Sequence, residues 1–363
     1  MARERIVVKI ALHKLQRMLR KMLRGSIIDL QPYRNEASNI TFYAFCLKFL
    51  RGISKINNIL EEITRRLEKE QTYFVKRIAD YKISMEEDIT PELDGGIKNN
   101  PYPSMNVPIS ASLSVVVSDE PYYYNVIYPL ARGLEALSIS QFSCKEKVKE
   151  NVGVLMNLVK NSESLNSSQK FVPIVQALIK AYNVLDNDEA KTKVRRLLMD
   201  SILKHVLVDD PNLEDIYSQD IYFLIKTTFE RNRISNQDKA VLISDLNSNV
   251  FRKLLKGLEY LALLKIDPPA DGLNKVIRLL PDYFSTIFKV RYGIGGIVYF
   301  SSPAESIYNI LQWFNDKTFA SVVMSLLIGD TGWIARDENN FLDIFKTIVG
   351  SSLLIATRSA LRR

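Results

Sequence analysis

The chain has almost no cysteine or histidine: two of each in 363 residues. Cys46 and Cys144 are too few for a disulfide framework, which implies a reducing, cytoplasmic compartment. Each reads as a small buried hydrophobe. A zinc site would need nearly every Cys and His at once, at spacings that fit no finger or ribbon, so neither a metal nor another cofactor is expected. With only His13 and His205, histidine acid–base chemistry is equally short of material. Uninterrupted apolar runs are also missing. The C-terminal run from Ile344 to Ala356 contains Lys346 and is shorter than the roughly 20 residues a membrane span needs.

Catalytic signatures are lacking too. Nucleophile-elbow, kinase and dinucleotide-binding patterns are absent. Asp188-Glu189-Ala190-Lys191 contains the Glu-x-Lys text of metal-dependent nucleases. It opens a helical segment, and no upstream strand supplies the second acid, so it reads as a helix surface. The glycines of Tyr292 to Phe300 precede a β-branched run instead of joining a strand to a helix, so they read as a tight turn before a strand. The sequence therefore points away from an enzyme, although an active site assembled from scattered residues would leave no such trace.

What the chain does have is concentrated at its start. Residues 1–24 hold eight basic side chains and one acidic one, a net +7, against +8 for the whole chain. The remainder is close to neutral. Val8, Leu12, Leu15, Leu19 and Met22 recur at three- and four-residue steps, which predicts one amphipathic helix with a narrow apolar stripe. Lys14, Arg17, Arg20, Lys21 and Arg24 are candidate phosphate-contacting residues on it. A second basic cluster, Lys191, Lys193, Arg195 and Arg196, follows within one predicted helix.

From Asn39 to Glu70 the apolar positions Cys46, Phe49, Ile53, Ile56, Leu60, Ile63 and Leu67 form a three-heptad, coiled-coil-like seam on one long helix. Ile53, Ile56, Leu60, Ile63 and Leu67 are the candidate docking residues. The expected arrangement is a helical hairpin with the basic first helix, or pairing with another chain. Composition then changes. Pro91, Pro101, Pro103 and Pro108, with Gly95-Gly96 between them, make residues 84–118 an extended connection. Ser112 to Ser118 reads as a short strand.

Helix dominates from residue 119. Segments are predicted at 122–139, 145–160, 170–185, 188–207, 213–231, 236–264, 273–290, 303–328 and 338–361. Breaks fall at Asp209-Asp210-Pro211 and Asp267-Pro268-Pro269, where this body can divide. Ser302-Pro303-Ala304-Glu305 reads as a capping box that starts a helix. The expected fold is mostly α: an irregular multi-helix protein with an N-terminal helical hairpin (1–83), a connection (84–118), a helical body (119–363), and short strands near 112–118 and 296–300.

Around residues 60–140 the text LEEITRRLEKEQTYFVKRIADYKI, ITPELDGGIKNNPYPS and SLSVVVSDEPYYYNVIYPLARGLEAL resembles the middle of McrC-type proteins. These are the partner subunits of modification-dependent restriction systems, with relatives associated with AAA+ motors. Gly95, Gly96 and Ile97 stand where that family has a turn, and Asp119, Pro121 and Asn125 where it starts a helix. The Asp119–Asn125 spacing is longer than the family's, Val126 replaces its arginine, and no nuclease domain is recognisable after residue 150. The resemblance implies a nuclease-less relative that binds a motor or DNA.

Taken together, the sequence is read as a non-catalytic helical subunit of a nucleic-acid-processing or antiviral defence assembly. It binds DNA or RNA through the basic first helix and docks a protein partner through the heptad seam. The alternatives are a self-assembling interaction protein using the first two helices, and a peripheral membrane protein anchored by the first.

Overall fold

The computed structural model describes residues 2–25, 36–87, 123–160, 165, 167–289, 294–314, 316–337 and 341–363. Among them the structure is helical, with no strand. The helices are α1 (Ala2–Leu23), α2 (Glu36–Leu50), α3 (Asn57–Glu87), α4 (Tyr128–Ile139), α5 (Lys145–Lys160), α6 (Ser168–Val184) and α7 (Asp188–Arg196). They continue with α8 (Leu203–Asp209), α9 (Ile216–Phe229), α10 (Asn236–Asp245), α11 (Phe251–Leu264), α12 (Ala270–Lys289), α13 (Ile294–Trp313), α14 (Lys317–Gly329) and α15 (Phe341–Arg362). A π-helical stretch, Tyr123–Ile127, leads into α4, and another, Leu197–Ile202, joins α7 to α8.

Local chemistry explains many of the boundaries. Asn187, Asp215 and Asp316 accept backbone N–H groups at the starts of α7, α9 and α14. Ser235 and Asp238 form a reciprocal capping box at α10. Asp210 ends α8 and accepts the N–H groups of Glu214 and Asp215, so the Asp-Asp-Pro break works as its residues suggest. The Asp-Pro-Pro break separates α11 from α12.

The helices close into a circuit. α2 packs on α4, α4 on α6, α6 on α9, α9 on α11, α11 on α13, α13 on α15, and α15 returns to α2. Phe45 of α2 stacks on Phe345 of α15 at 5.0 Å, which seals the return. Close approaches hold the circuit tight. A Cβ on Gly133 of α4 would lie 2.9 Å from Ile40 of α2 and 2.0 Å from the Gln71 amide of α3. The buried apolar residues from Val7 to Ala360 form one contiguous core.

Several expectations are corrected. The stretch 296–300 is helical, inside α13, and the expected helix start at Ser302 lies mid-helix, with Pro303 accommodated. Burial of Ala304, Ile307, Ile310 and Leu311 outweighs the missing N–H donor. The long helix from Asn39 to Glu70 is two helices, broken at Arg51-Gly52-Ile53, where the Ile53 N–H turns back to the Leu50 carbonyl. The segments 236–264 and 303–328 are likewise each two helices, α10 with α11 and α13 with α14.

Helix α1 does not pair chiefly with its sequence neighbour. It lies mainly on α15, with smaller contacts to α3 and α14. The Glu4–Arg358 ion pair, 3.5 Å, sets the start of α1 beside the end of α15. The window Asp343–Arg362 of α15 is long and apolar enough to cross a membrane, but 72% of it is buried inside the protein, as a core helix would be. Helix α3 extends to Glu87, three residues past the expected start of the connection. The expected strand at 112–118 lies outside the described residues.

Candidate nucleic-acid interface

Helix α1 sorts its residues by face. Val7, Val8, Ala11, Leu12, Leu15, Met18, Leu19 and Met22 are buried. That is a wider stripe than the five positions read from the sequence, and burying each large side chain contributes roughly 1.5–3 kcal/mol. The opposite face carries Arg3, Ile6, Ile10, His13, Arg17, Arg20 and Arg24, all exposed, at alternating three- and four-residue steps. Arg5 and Lys9 flank it and are also exposed, while Lys14 and Lys21 are half-buried. Among the described residues, Arg3, Arg5, Lys9, Arg20 and Arg24 meet no carboxylate; Glu4, the only acid on the helix, is taken by Arg358.

The second cluster is built differently. Lys193 and Arg196 of α7 are exposed, and Lys193 is paired with Glu189 at 2.5 Å. Lys191 lies over the Tyr182 ring at 5.7 Å and exposed Arg195 over Phe229 at 5.9 Å. These two rings meet edge-on at 4.9 Å. Helix α7 packs on α6 and α1 on α15, so the structure does not join the two clusters through a common principal neighbour.

The five docking candidates face inward. Ile56, Ile63 and Leu67 are fully buried, and Ile53 and Leu60 nearly so. The seam is spent inside this chain and offers no surface in this fold. Tyr123 is buried with its hydroxyl donating to the Lys170 carbonyl at 3.0 Å, while Tyr124 remains exposed. Cys46 is buried, which pushes its thiol up, but Cys144 is exposed, against expectation. Among the described residues no group of three His, Cys, Asp or Glu side chains is placed to hold a metal.

The structure also reveals charge that the sequence reading passed over. At the centre of the helix circuit, Lys48 of α2 bridges Glu135 of α4 at 2.9 Å and Glu305 of α13 at 2.7 Å. Arg132 holds the other Glu135 oxygen at 2.9 Å and donates to Gln176 of α6 at 2.8 Å. Beside this group, Lys256 of α11 lies 3.1 Å from both Asp220 of α9 and Glu259, with Glu305 close enough to act on its charge. Tyr260 donates to Asp220, and Ser306 and Asn309 of α13 donate to Glu259, all at 2.6–2.7 Å.

Burial alone would raise the Glu135 carboxyl, but the Lys48 and Arg132 charges outweigh it and hold the group below the usual carboxylate range. Burial alone would lower Lys256, but Asp220 and Glu259 outweigh it and raise the ammonium. Lys180 of α6 is pushed down, by burial first, with Arg51 and Lys48 nearby. A signal for this network was present in the text. Lys48, after the first residue of α2, and Glu305, throughout α13, are the sole charged side chains of their helices.

No family model matches the chain, and neither a curated protein nor a solved structure shows significant similarity to it.

Proposed function

We propose that this protein is a non-catalytic helical subunit that binds nucleic acid along the outer face of α1, within a nucleic-acid-processing or defence assembly. The observation that carries the reading is the division of α1. Its apolar stripe is buried against α15, while Arg3, Arg5, Lys9, Arg17, Arg20 and Arg24 point to solvent. Of these, Arg3, Arg5, Lys9, Arg20 and Arg24 meet no carboxylate among the described residues and can replace counterions on a phosphate backbone. Lys191, Lys193, Arg195 and Arg196 supply a second, smaller contact. Docking of a partner through Ile53, Ile56, Leu60, Ile63 and Leu67 would require opening the core, so a protein partner belongs on another surface. The resemblance to restriction partner subunits agrees with this reading. Asn125 lies in the π-helical stretch and Val126 is fully buried, while Gly95, Gly96, Ile97, Asp119 and Pro121 lie outside the described residues.

A second reading rests on Ile6 and Ile10, 57% and 46% exposed on the same basic face. Apolar residues set among cations suit an anionic membrane surface. Fluorescence anisotropy with labelled duplex DNA, single-stranded DNA and RNA tests the first reading, and co-flotation with anionic vesicles the second. Arg20→Glu with Arg24→Glu lowers nucleic-acid affinity at least tenfold at about 100 mM salt if the proposal holds. Ile6→Asp with Ile10→Asp abolishes flotation if the second does.

A further inference from the structure

A depression of about 380 Å³ opens between α7 and the turn that follows α9. It is lined by Arg195, Thr228, Phe229, Glu230, Arg231, Asn232 and Arg233. Three arginines thus line it from two separate elements. Arg195 comes from α7, and Arg231 and Arg233 from a single 3-10 turn. The turn is held at both ends. Arg231 donates one N–H to the Leu263 carbonyl at 2.7 Å, and the capping box of Ser235 and Asp238 fixes the exit.

The one acid in the wall is already occupied. Glu230 accepts from Lys226 at 2.7 Å, and Arg233 lies 3.4 Å from its other oxygen. The Lys226 ammonium holds the Glu230 carboxyl below the usual range, so it stays a fixed anion and does not titrate into the site near neutral pH. The cavity therefore carries surplus positive charge. Its apolar part is Phe229, which also supports the Arg195 guanidinium. Planar guanidinium forks match phosphate oxygens in pairs. The volume falls within the range of about 300–1,000 Å³ that small-molecule sites occupy, more than a bare phosphate needs.

We infer that this depression binds a nucleoside phosphate, free or at the 5′ end of a strand, with the phosphate on Arg195, Arg231 and Arg233 and the nucleoside against Phe229 and Asn232. The inference rests in part on the reading of α7 as a phosphate-contacting helix, and the test separates the two. Calorimetric titration of the full-length protein with ADP, adenosine and pyrophosphate is run at about 50 mM salt, where phosphate contacts are strongest. ADP binds and adenosine does not. Arg195→Ala and Arg233→Ala, both at exposed positions, each weaken ADP by about tenfold, while Arg20→Glu on α1 leaves it unchanged. A short strand with a 5′-phosphate, compared with the same strand ending in a hydroxyl, distinguishes a strand end from a free nucleotide.

Absence of ADP binding at about 1 mM, or binding indifferent to Arg195→Ala and Arg233→Ala, overturns the assignment. Pyrophosphate binding as tight as ADP overturns its nucleoside part. Loss of duplex binding in the α1 variant with ADP binding retained shows that the two sites are separate. ADP binding weakened about tenfold while duplex binding is kept in Arg233→Ala shows the same from the other side.

Discussion

On the outer face of α1, Arg3, Arg5, Lys9, Arg20 and Arg24 are exposed and meet no carboxylate among the described residues. At the centre of the helix circuit, Lys48, Arg132 and Lys256 are largely buried, and each meets at least one carboxylate within 3.1 Å. The same residue types are used in opposite ways. Buried charges must be paired, because desolvation costs several kcal/mol per ion; paired, they fix which helices meet. Exposed charges contribute little to stability and remain available to an external anion. A charge excess in a sequence therefore says less than where its counter-charges lie.

The sharpest way to break this comparison is to remove one partner from the centre. Glu135→Ala leaves Lys48 and Arg132 short of a carboxylate and is expected to cost about 3–5 kcal/mol, read by chemical denaturation. The matching change on α1, Arg20→Glu with Arg24→Glu, is expected to move unfolding by no more than about 0.5 kcal/mol per site. It should lower affinity for nucleic acid at least tenfold at about 100 mM salt. A fall in stability of the same size in both variants would erase the distinction.

The pH dependence sharpens it further, because two carboxyls carry opposite signs. Glu135 is lowered in the folded protein, so its contribution is present above the ordinary carboxylate range and is lost as pH falls through its folded value. Asp245 is raised to about 6, by burial first, and its Oδ2 has no hydrogen-bond partner. The folded state holds that proton more tightly than the unfolded chain. Its contribution is therefore present below about 4 and is lost as pH rises through about 6. Asp245→Asn, which keeps an acceptor for Gln219, should flatten thermal stability between these pH values and raise the melting temperature at pH 8. The smallest effect is expected at Lys265, which ends α11 with φ 59°. Lys265→Gly relieves that left-handed conformation and should stabilise by less than about 1 kcal/mol in the same denaturation assay.

The existence of most helices was legible, because three- and four-residue apolar spacing survives in nearly every one. Their partners were not. The stripe on α1 matches the seam of 46–67 as text, yet the fold gives it to α15, over 300 residues away, because α2 and α4 already cover much of α3. Breaks were legible where Asp and Pro coincide, at 209–211 and 267–269. They were missed where a single Gly52 or a cap such as Asp316 sufficed. Pro303 misled in the other direction, since tertiary packing carried the helix through it. Of the candidate site, the basic residues of α1 were legible as a cluster, but their exposure was not. Ile6 and Ile10 gave no signal, because isoleucine in an amphipathic helix reads as core. The central network was readable in principle from lone charges in apolar helices such as α2 and α13.

Helix α1 buries one face in the core, and we propose that its other face meets a phosphate backbone. Deleting α1 would not test it, because Leu15, Met18 and Leu19 are fully buried against the rest of the chain. The direct measurement is a salt titration of nucleic-acid affinity, comparing the intact protein with Arg20→Glu and Arg24→Glu, with melting temperature followed in parallel. A linear fall of log affinity with log salt is expected for the intact protein. For the variant the expected slope is shallower by about one unit for each phosphate no longer neutralised, at unchanged melting temperature. Equal slopes, or no binding by the intact protein at low salt, would contradict it.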